Sequence, residues 1–353
     1  MIKVFLVDDS ATVRKVLRDI LEAAPGIEVI GAAQDPIFAQ KHLEKIWPDV
    51  FILDVEMPRM DGLTFLKKIM AEHPTPVVMC STLTEHGSAT SLKALTAGAI
   101  EVVEKPKTNL KNGLLDSSQK LVNAVKAASL ANVSNIKRSL KPTPSAIKPK
   151  LLIDDVIPNT AARPIRTANN FIIIGASTGG TQALERVLTP LPATTQGIAI
   201  VQHMPEKFTL AFASRLNQLC AMQIKEASEG DELKQGVVLI APGGHHMVLV
   251  AKGNKIFASI KEAPPVNRHR PSVDVLFRSA AKTIGSKALG IILTGMGDDG
   301  ARGLKEMQDA GAKTIAQNKD SCVVYGMPAE AVKLNAADEI LDLAVIPNKI
   351  INY

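Results

Sequence analysis

The chain has 353 residues, 46% of them hydrophobic and only 3% aromatic, with a formal net charge of +6. That length suits two domains with Val/Ile/Leu/Ala cores, and no apolar run is long enough to span a membrane. The start, Met1-Ile2-Lys3-Val4-Phe5-Leu6-Val7, runs into charged residues without a cleavage pattern, and Cys80, Cys220 and Cys322 follow neither metal nor disulfide spacing, so a reduced, cytoplasmic protein without membrane insertion is expected.

From the N-terminus, buried strands alternate with amphipathic helices. Strands are expected at Lys3–Val7, Glu28–Ala32, Val50–Asp54, Pro76–Cys80 and Ile100–Val103, and helices near 12–23, 36–46, 62–72 and 87–97. Five such units predict an α/β domain with a doubly wound, five-stranded parallel sheet. Polar residues gather where the strands end: Asp8-Asp9-Ser10, Asp54, Ser81-Thr82 and Lys105-Pro106. In one parallel sheet these ends share an edge. Three close carboxylates repel one another unless a divalent cation sits among them, and hard oxygen ligands suit Mg2+. Asp54 is then placed to accept a phosphoryl group, with Lys105 pairing its charge and the Ser81 hydroxyl bonding to it. A closing helix is expected over Leu114–Arg138, so the domain covers residues 1–138.

Residues 1–107 resemble the receiver domain of two-component response regulators, a flavodoxin-like fold. The resemblance implies that Asp8 and Asp9 are the acidic pair that binds metal with Asp54, that Asp54 is the phospho-acceptor, and that Ser81 and Lys105 are the switch hydroxyl and lysine. Glu101 stands where many receivers have an aromatic switch residue, so the switch is expected to work through a surface patch.

Residues 139–169 hold Pro142, Pro144, Pro149, Pro158 and Pro164 among Lys, Ser, Thr and Ala, the composition of a semi-extended, largely disordered linker. Between Ser134 and Asn170, seven Lys and Arg residues stand against Asp154 and Asp155, so most of the excess positive charge lies here. No aromatic side chain accompanies it to stack on bases, which argues against nucleic acid.

The second domain is expected over 170–353. Phe171-Ile172-Ile173-Ile174 reads as a strand buried on both faces, broken by Gly175-Ala176-Ser177-Thr178-Gly179-Gly180 before helical spacing resumes at Thr181. The turn lacks the G-x-G-x-x-G of a dinucleotide site and the lysine of a P-loop. Ser177 is left as a helix cap or a nucleophile. Further strands are expected at Gly197–Gln202, Gln223–Ala227, Val237–Ile240 and Leu289–Thr294, with a hairpin of Met247–Ala251 and Lys255–Ile260 and a helix over 272–283 capped by Ser272. Three strands run out at Ser177, at His203 and at Asp298-Asp299. As neighbours in a mostly parallel, Rossmann-like sheet they would meet at one edge. His203 would take the Ser177 proton, Asp299 or Asp298 would fix the imidazole tautomer, and the backbone N–H of Met296 would hold an oxyanion. His245 and His246, after a Pro-Gly-Gly turn, read as surface hydrogen-bonding groups, and His269 as part of an exposed basic loop, Asn267-Arg268-His269-Arg270-Pro271, open to substrate. No metal or other cofactor is expected in this half.

Gly175-Ala176-Ser177-Thr178-Gly179-Gly180, Gln202-His203-Met204-Pro205, Ala241-Pro242-Gly243-Gly244 and Thr294-Gly295-Met296-Gly297-Asp298-Asp299-Gly300 resemble the catalytic domain of the chemotaxis methylesterase family, CheB. The order receiver, linker, esterase is also that family's. The resemblance implies catalytic Ser177, His203 and Asp299, with Asp298 where Asn is usual. It implies hydrolysis of glutamate methyl esters on methyl-accepting chemoreceptors, deamidation of receptor glutamines, and inhibition by the receiver until the histidine kinase CheA phosphorylates Asp54. A monomer is expected. A receiver joined to an output domain that only binds DNA or a partner protein is the alternative; a strand-rich, aromatic-poor output half speaks against DNA.

Overall fold

Runs of β-branched residues set the strands of both halves. The structure, a computed structural model, describes residues 1–44, 46–81, 90, 93–105, 111–133, 170–206 and 208–353, with the backbone alone for 111–117. Contacts divide the chain into two units, Met1–Pro142 and Thr143–Tyr353.

In the first unit β1 (Ile2–Val7), β2 (Ile27–Ala33), β3 (Val50–Asp54), β4 (Val77–Ser81) and β5 (Glu101–Glu104) form a parallel sheet in the order β2-β1-β3-β4-β5. The helices α1 (Ala11–Glu22), α2 (Pro36–Leu43) and α3 (Gly62–Glu72) start where Ser10, Asp35 and Asp61 accept backbone N–H groups of the first turn. α4 spans Lys111–Leu130, beginning and ending earlier than the expected 114–138, whose residues 134–138 lie outside the described residues. Of the helix expected at 87–97, residues 90 and 93–97 are helical; the remainder, with Thr82, Pro106 and the linker 139–169, lies outside the described residues. The strand order reverses between β1 and β3, so the crevice of this sheet opens beside Asp8 and Asp54.

In the second unit seven parallel strands run in the order β15-β14-β13-β6-β7-β10-β8. They are β6 (Phe171–Ala176), β7 (Gly197–Gln202), β8 (Gln223–Glu226), β10 (Val237–Ile240), β13 (Ala288–Ile292), β14 (Lys313–Gln317) and β15 (Glu339–Leu341). A second, antiparallel sheet joins β9 (Glu232–Leu233) to the predicted hairpin, which comprises β11 (His246–Lys252) and β12 (Lys255–Lys261). β6 is buried along its whole length, and each of its isoleucines contributes roughly 1.5–3 kcal/mol by leaving water. The helices used below are α5 (Gly180–Leu188), α6 (Phe208–Leu219), α7 (Val273–Thr283) and α8 (Ala301–Asp309). β7 lies on one side of β6 and β13 on the other, so Ser177 leaves the sheet at its switch point.

Candidate functional site

At the edge of the first sheet, Asp8, Asp9 and Asp54 each offer a carboxylate oxygen, and these atoms lie within 4.8 Å of one another. Asp8 and Asp54 are buried and Asp9 is exposed. The Lys105 Nζ lies 2.8 Å from both Asp8 Oδ2 and Asp54 Oδ2. Burial pushes the Asp54 carboxyl up to about 6, more than the bond and charge of Lys105 pull it down. Burial also works against Lys105, yet its bonds to Asp54 and Asp8 outweigh it and raise the ammonium. Ser81 is buried at the end of β4, and its carbonyl accepts the Lys105 N–H at 2.9 Å. Asp8, Asp9, Asp54, Lys105 and Ser81 thus come to one edge. Three hard oxygen donors in one crevice fit a divalent cation.

At the edge of the second sheet the register does the assembling. Ala176 pairs with Gln202, and Ile292 with Gly175, so the residues that follow each strand are set side by side. The His203 N–H donates to the Ala176 carbonyl at 3.1 Å, and the Ser177 N–H to the Thr294 carbonyl at 3.0 Å. Ser177 is not the helix cap: α5 is capped by Gly179 in the left-handed region, without a side-chain bond. Its hydroxyl instead lies 3.0 Å from His203 Nδ1, and His203 Nε2 lies 2.7 Å from Asp299 Oδ2. Ser177, His203 and Asp299 therefore form one chain of hydrogen bonds.

Asp299 rather than Asp298 faces the imidazole, and its surroundings explain why. It is buried at the start of α7, where the Val273 N–H donates to Oδ2 at 2.7 Å and the Ser272 hydroxyl to Oδ1 at 2.7 Å. Asn267 Nδ2 donates to Oδ1 at 2.8 Å and to Asp274 Oδ2 at 2.6 Å. Burial alone would raise the Asp299 carboxyl; the His203 bond, the His203 and His269 charges and the Asn267 bond outweigh it and hold the group well below the usual carboxylate range. Asp274 takes the opposite course, since burial and the Asp299 charge push it up to about 7.

Around the three catalytic candidates the structure adds a tie that the sequence did not show, places the expected Met296 and corrects one histidine. Gln202 Nε2 lies 3.0 Å from the Ser177 carbonyl and 3.1 Å from that of His203, tying the ends of β6 and β7 together. Met296 follows Gly295, where a Cβ would come within 2.7 Å of the Ser177 Cβ. That glycine lets the loop pass against the serine, and the Met296 N–H has no backbone partner among the described residues. His246 corrects the surface reading: it is fully buried, its Nδ1 accepting the Ser272 N–H at 3.2 Å and its Nε2 donating to the Pro264 carbonyl at 3.0 Å. Burial lowers the pKa of that ring, and through the bond that its Nδ1 accepts it braces the start of α7. The basic loop is also less open than expected, because Asn267 is buried and the His269 ring lies flat on His203, centroids 3.6 Å apart and planes 5° apart.

Residues 172–350 match the family model for the CheB methylesterase, and residues 4–113 that for the response regulator receiver domain. A protein-glutamate methylesterase/protein-glutamine glutaminase of Pseudomonas savastanoi pv. phaseolicola is 56% identical over 99% of this chain and 98% of its own length. Another of that name, from Hahella chejuensis, is 56% identical over 99% of this chain and 96% of its own. Among solved structures, the CheB methylesterase catalytic domain of Thermotoga maritima superposes with a TM-score of 0.52 at 38% identity, covering 53% of this chain and 99% of that one.

Proposed function

The chain belongs to the CheB methylesterase family, and we propose that it hydrolyses glutamate methyl esters on methyl-accepting chemoreceptors and deamidates receptor glutamines to glutamate, under control of a phosphorylated receiver. The observation that carries this reading is the His203 ring bridging Ser177 and Asp299.

As the Ser177 oxygen attacks the δ-carbonyl carbon of the side chain, its proton passes to His203 Nδ1. Ionised Asp299 holds the Nε2–H and stabilises the imidazolium that forms. The oxyanion takes the Met296 N–H, and the carbonyl re-forms as His203 returns its proton to the leaving oxygen, releasing methanol and leaving an acyl-serine. Water, deprotonated by His203, then attacks the acyl carbon; collapse of that second adduct frees glutamate and re-protonates Ser177. A glutamine follows the same course with ammonia as the leaving group, its nitrogen protonated by His203 before departure.

In the receiver, Asp54 accepts the phosphoryl group from the chemotaxis histidine kinase CheA, and Lys105 and Ser81 hold its oxygens. Asp8, Asp9 and Asp54 would hold Mg2+, which when bound shields the approaching phosphoryl charge. The unphosphorylated receiver restrains the esterase and phosphorylation releases it. We read the reaction as cytoplasmic and carried out by a monomer. Among the described residues no helix is long and apolar enough to cross a membrane.

Methanol release from methyl-labelled receptor membranes tests the chemistry. Ser177→Ala should fold normally and lose at least about 10³-fold in kcat; activity near wild type would remove Ser177 from the mechanism. Deleting residues 1–138 should raise activity without phosphodonor, and an unchanged or lower rate would count against restraint by the receiver.

A further inference from the structure

The loop between β12 and α7 reaches the site with two side chains. Val266 and His269 close a tight turn, the Val266 N–H donating to the His269 carbonyl at 3.1 Å and the His269 N–H to the Val266 carbonyl at 2.8 Å. The two residues between them, Asn267 and Arg268, both lie in the left-handed region, at φ of 51° and 70°. Asn tolerates that region, while an arginine there is held at a cost of about 1 kcal/mol. Strain of this kind persists where the surroundings require the geometry it gives. Here it turns Asn267 down onto Asp299 and Asp274, and His269 across onto His203.

The His269–His203 stack is unusual in its closeness. Aromatic pairs commonly sit with centroids about 4.5–7 Å apart and offset or edge-on. These two imidazoles lie parallel at 3.6 Å. An imidazole hydrogen-bonded at both nitrogens can still rock about the axis joining its partners. A flat ring against one face removes that freedom. The same face is electron-rich, so a neutral His269 favours the charge that His203 acquires from Ser177, as any π-face favours a cation. A protonated His269 opposes it.

We infer that His269 is a positioning residue for His203, fixing the plane of that imidazole and supporting its cationic form. The inference rests on the proposed role of His203 as the base at Ser177. Charged and titratable groups on the elements that meet at the stack include Asp298 and Asp299 before α8, Asp274 in the first turn of α7, His245 and His246 at the start of β11, and Arg268 and Arg270 of the loop itself. All but the His269 ring persist in the variants below, so a change in pH profile reports on the stack.

The test uses the full-length chain and methyl-labelled receptor membranes, with H269A, H269F and S177A measured side by side. H269A should lower kcat about ten- to hundredfold while KM stays within about twofold, because ring placement and not substrate binding is lost. H269F, which restores a flat ring, should recover to within about threefold of wild type. H269A also loses the π-face that supports cationic His203, so the acid limb of its kcat/KM profile should move to lower pH, while that of H269F stays near wild type. An H269A variant as active as wild type beside an inactive S177A would overturn the inference and leave the proposed reaction standing. A loss shared equally by H269A and H269F, with the acid limb unmoved, would assign the loop a purely structural role and overturn it too. An active S177A would instead remove the reading on which it rests.

Discussion

Asp299 and Asp298 are adjacent and chemically identical, yet only one of them holds the imidazole. Asp299 takes N–H and O–H donors from Ser272, Val273 and Asn267 in addition to His203, while Asp298 is half-buried and caps the following helix turn with its carbonyl. Asp299→Asn should lower kcat by about 10³–10⁴-fold, since an amide cannot hold the tautomer that a carboxylate does. Asp298→Asn should stay within about threefold. Steady-state methanol release on both variants checks this, and equal losses would return the two aspartates to parity. Ser177 and His203 were legible in the sequence because each is among the first polar residues after a buried, β-branched run, at a glycine- or proline-marked turn. The choice between the aspartates was not. It is made by Asn267 and Ser272, more than twenty-five residues upstream, which only the folded chain brings near.

Among elements, β6 and α7 decide how well the site is held. Gly175 in β6 faces the first residue of α7, and a Cβ there would come within 2.1 Å of Val273 Cγ1. The Val273 N–H is one of the groups on Asp299, so a displaced α7 drags the carboxylate from His203. Gly175→Ala should cost about 1–3 kcal/mol by overpacking and lower kcat with little change in KM. Thermal unfolding and steady-state kinetics read the two effects separately, and a fully active, fully stable variant would show that α7 can shift without moving Asp299. The strand pattern was readable because parallel strands buried on both faces are near-continuous apolar runs. His246 was misread for a physical reason: the turn before it, Pro242-Gly243-Gly244, looks like surface punctuation, but β11 begins at once and takes the ring under α7.

Across the whole chain, the same device appears twice. Each parallel sheet collects its polar side chains at the point where strand order reverses, one set built of carboxylates and an ammonium, the other of a hydroxyl, an imidazole and a carboxylate. The electrostatics of the first set make it responsive to cations. Asp54 sits at about 6, above its ordinary 3.8. Its folded form therefore binds a proton more readily than the unfolded chain does, so its contribution to stability is full below about pH 4 and is lost as pH rises through about 6. At neutral pH the first unit carries an ionised, buried Asp54 that one lysine only partly compensates. A divalent cation held by Asp8, Asp9 and Asp54, as proposed, would supply the missing charge and compete with the proton for the same oxygens. Calorimetry of the full-length chain should then show Mg2+ raising the first unit's Tm by a few degrees near pH 7.5, at about 2–4 °C per kcal/mol for a unit of this size, and by much less near pH 5, where Asp54 is largely protonated. Asp54→Asn should shrink the Mg2+ effect at neutral pH toward that acid-limit value. A Mg2+ shift equal at both pH values and untouched by that substitution would mean the cation binds somewhere other than the crevice between β1 and β3.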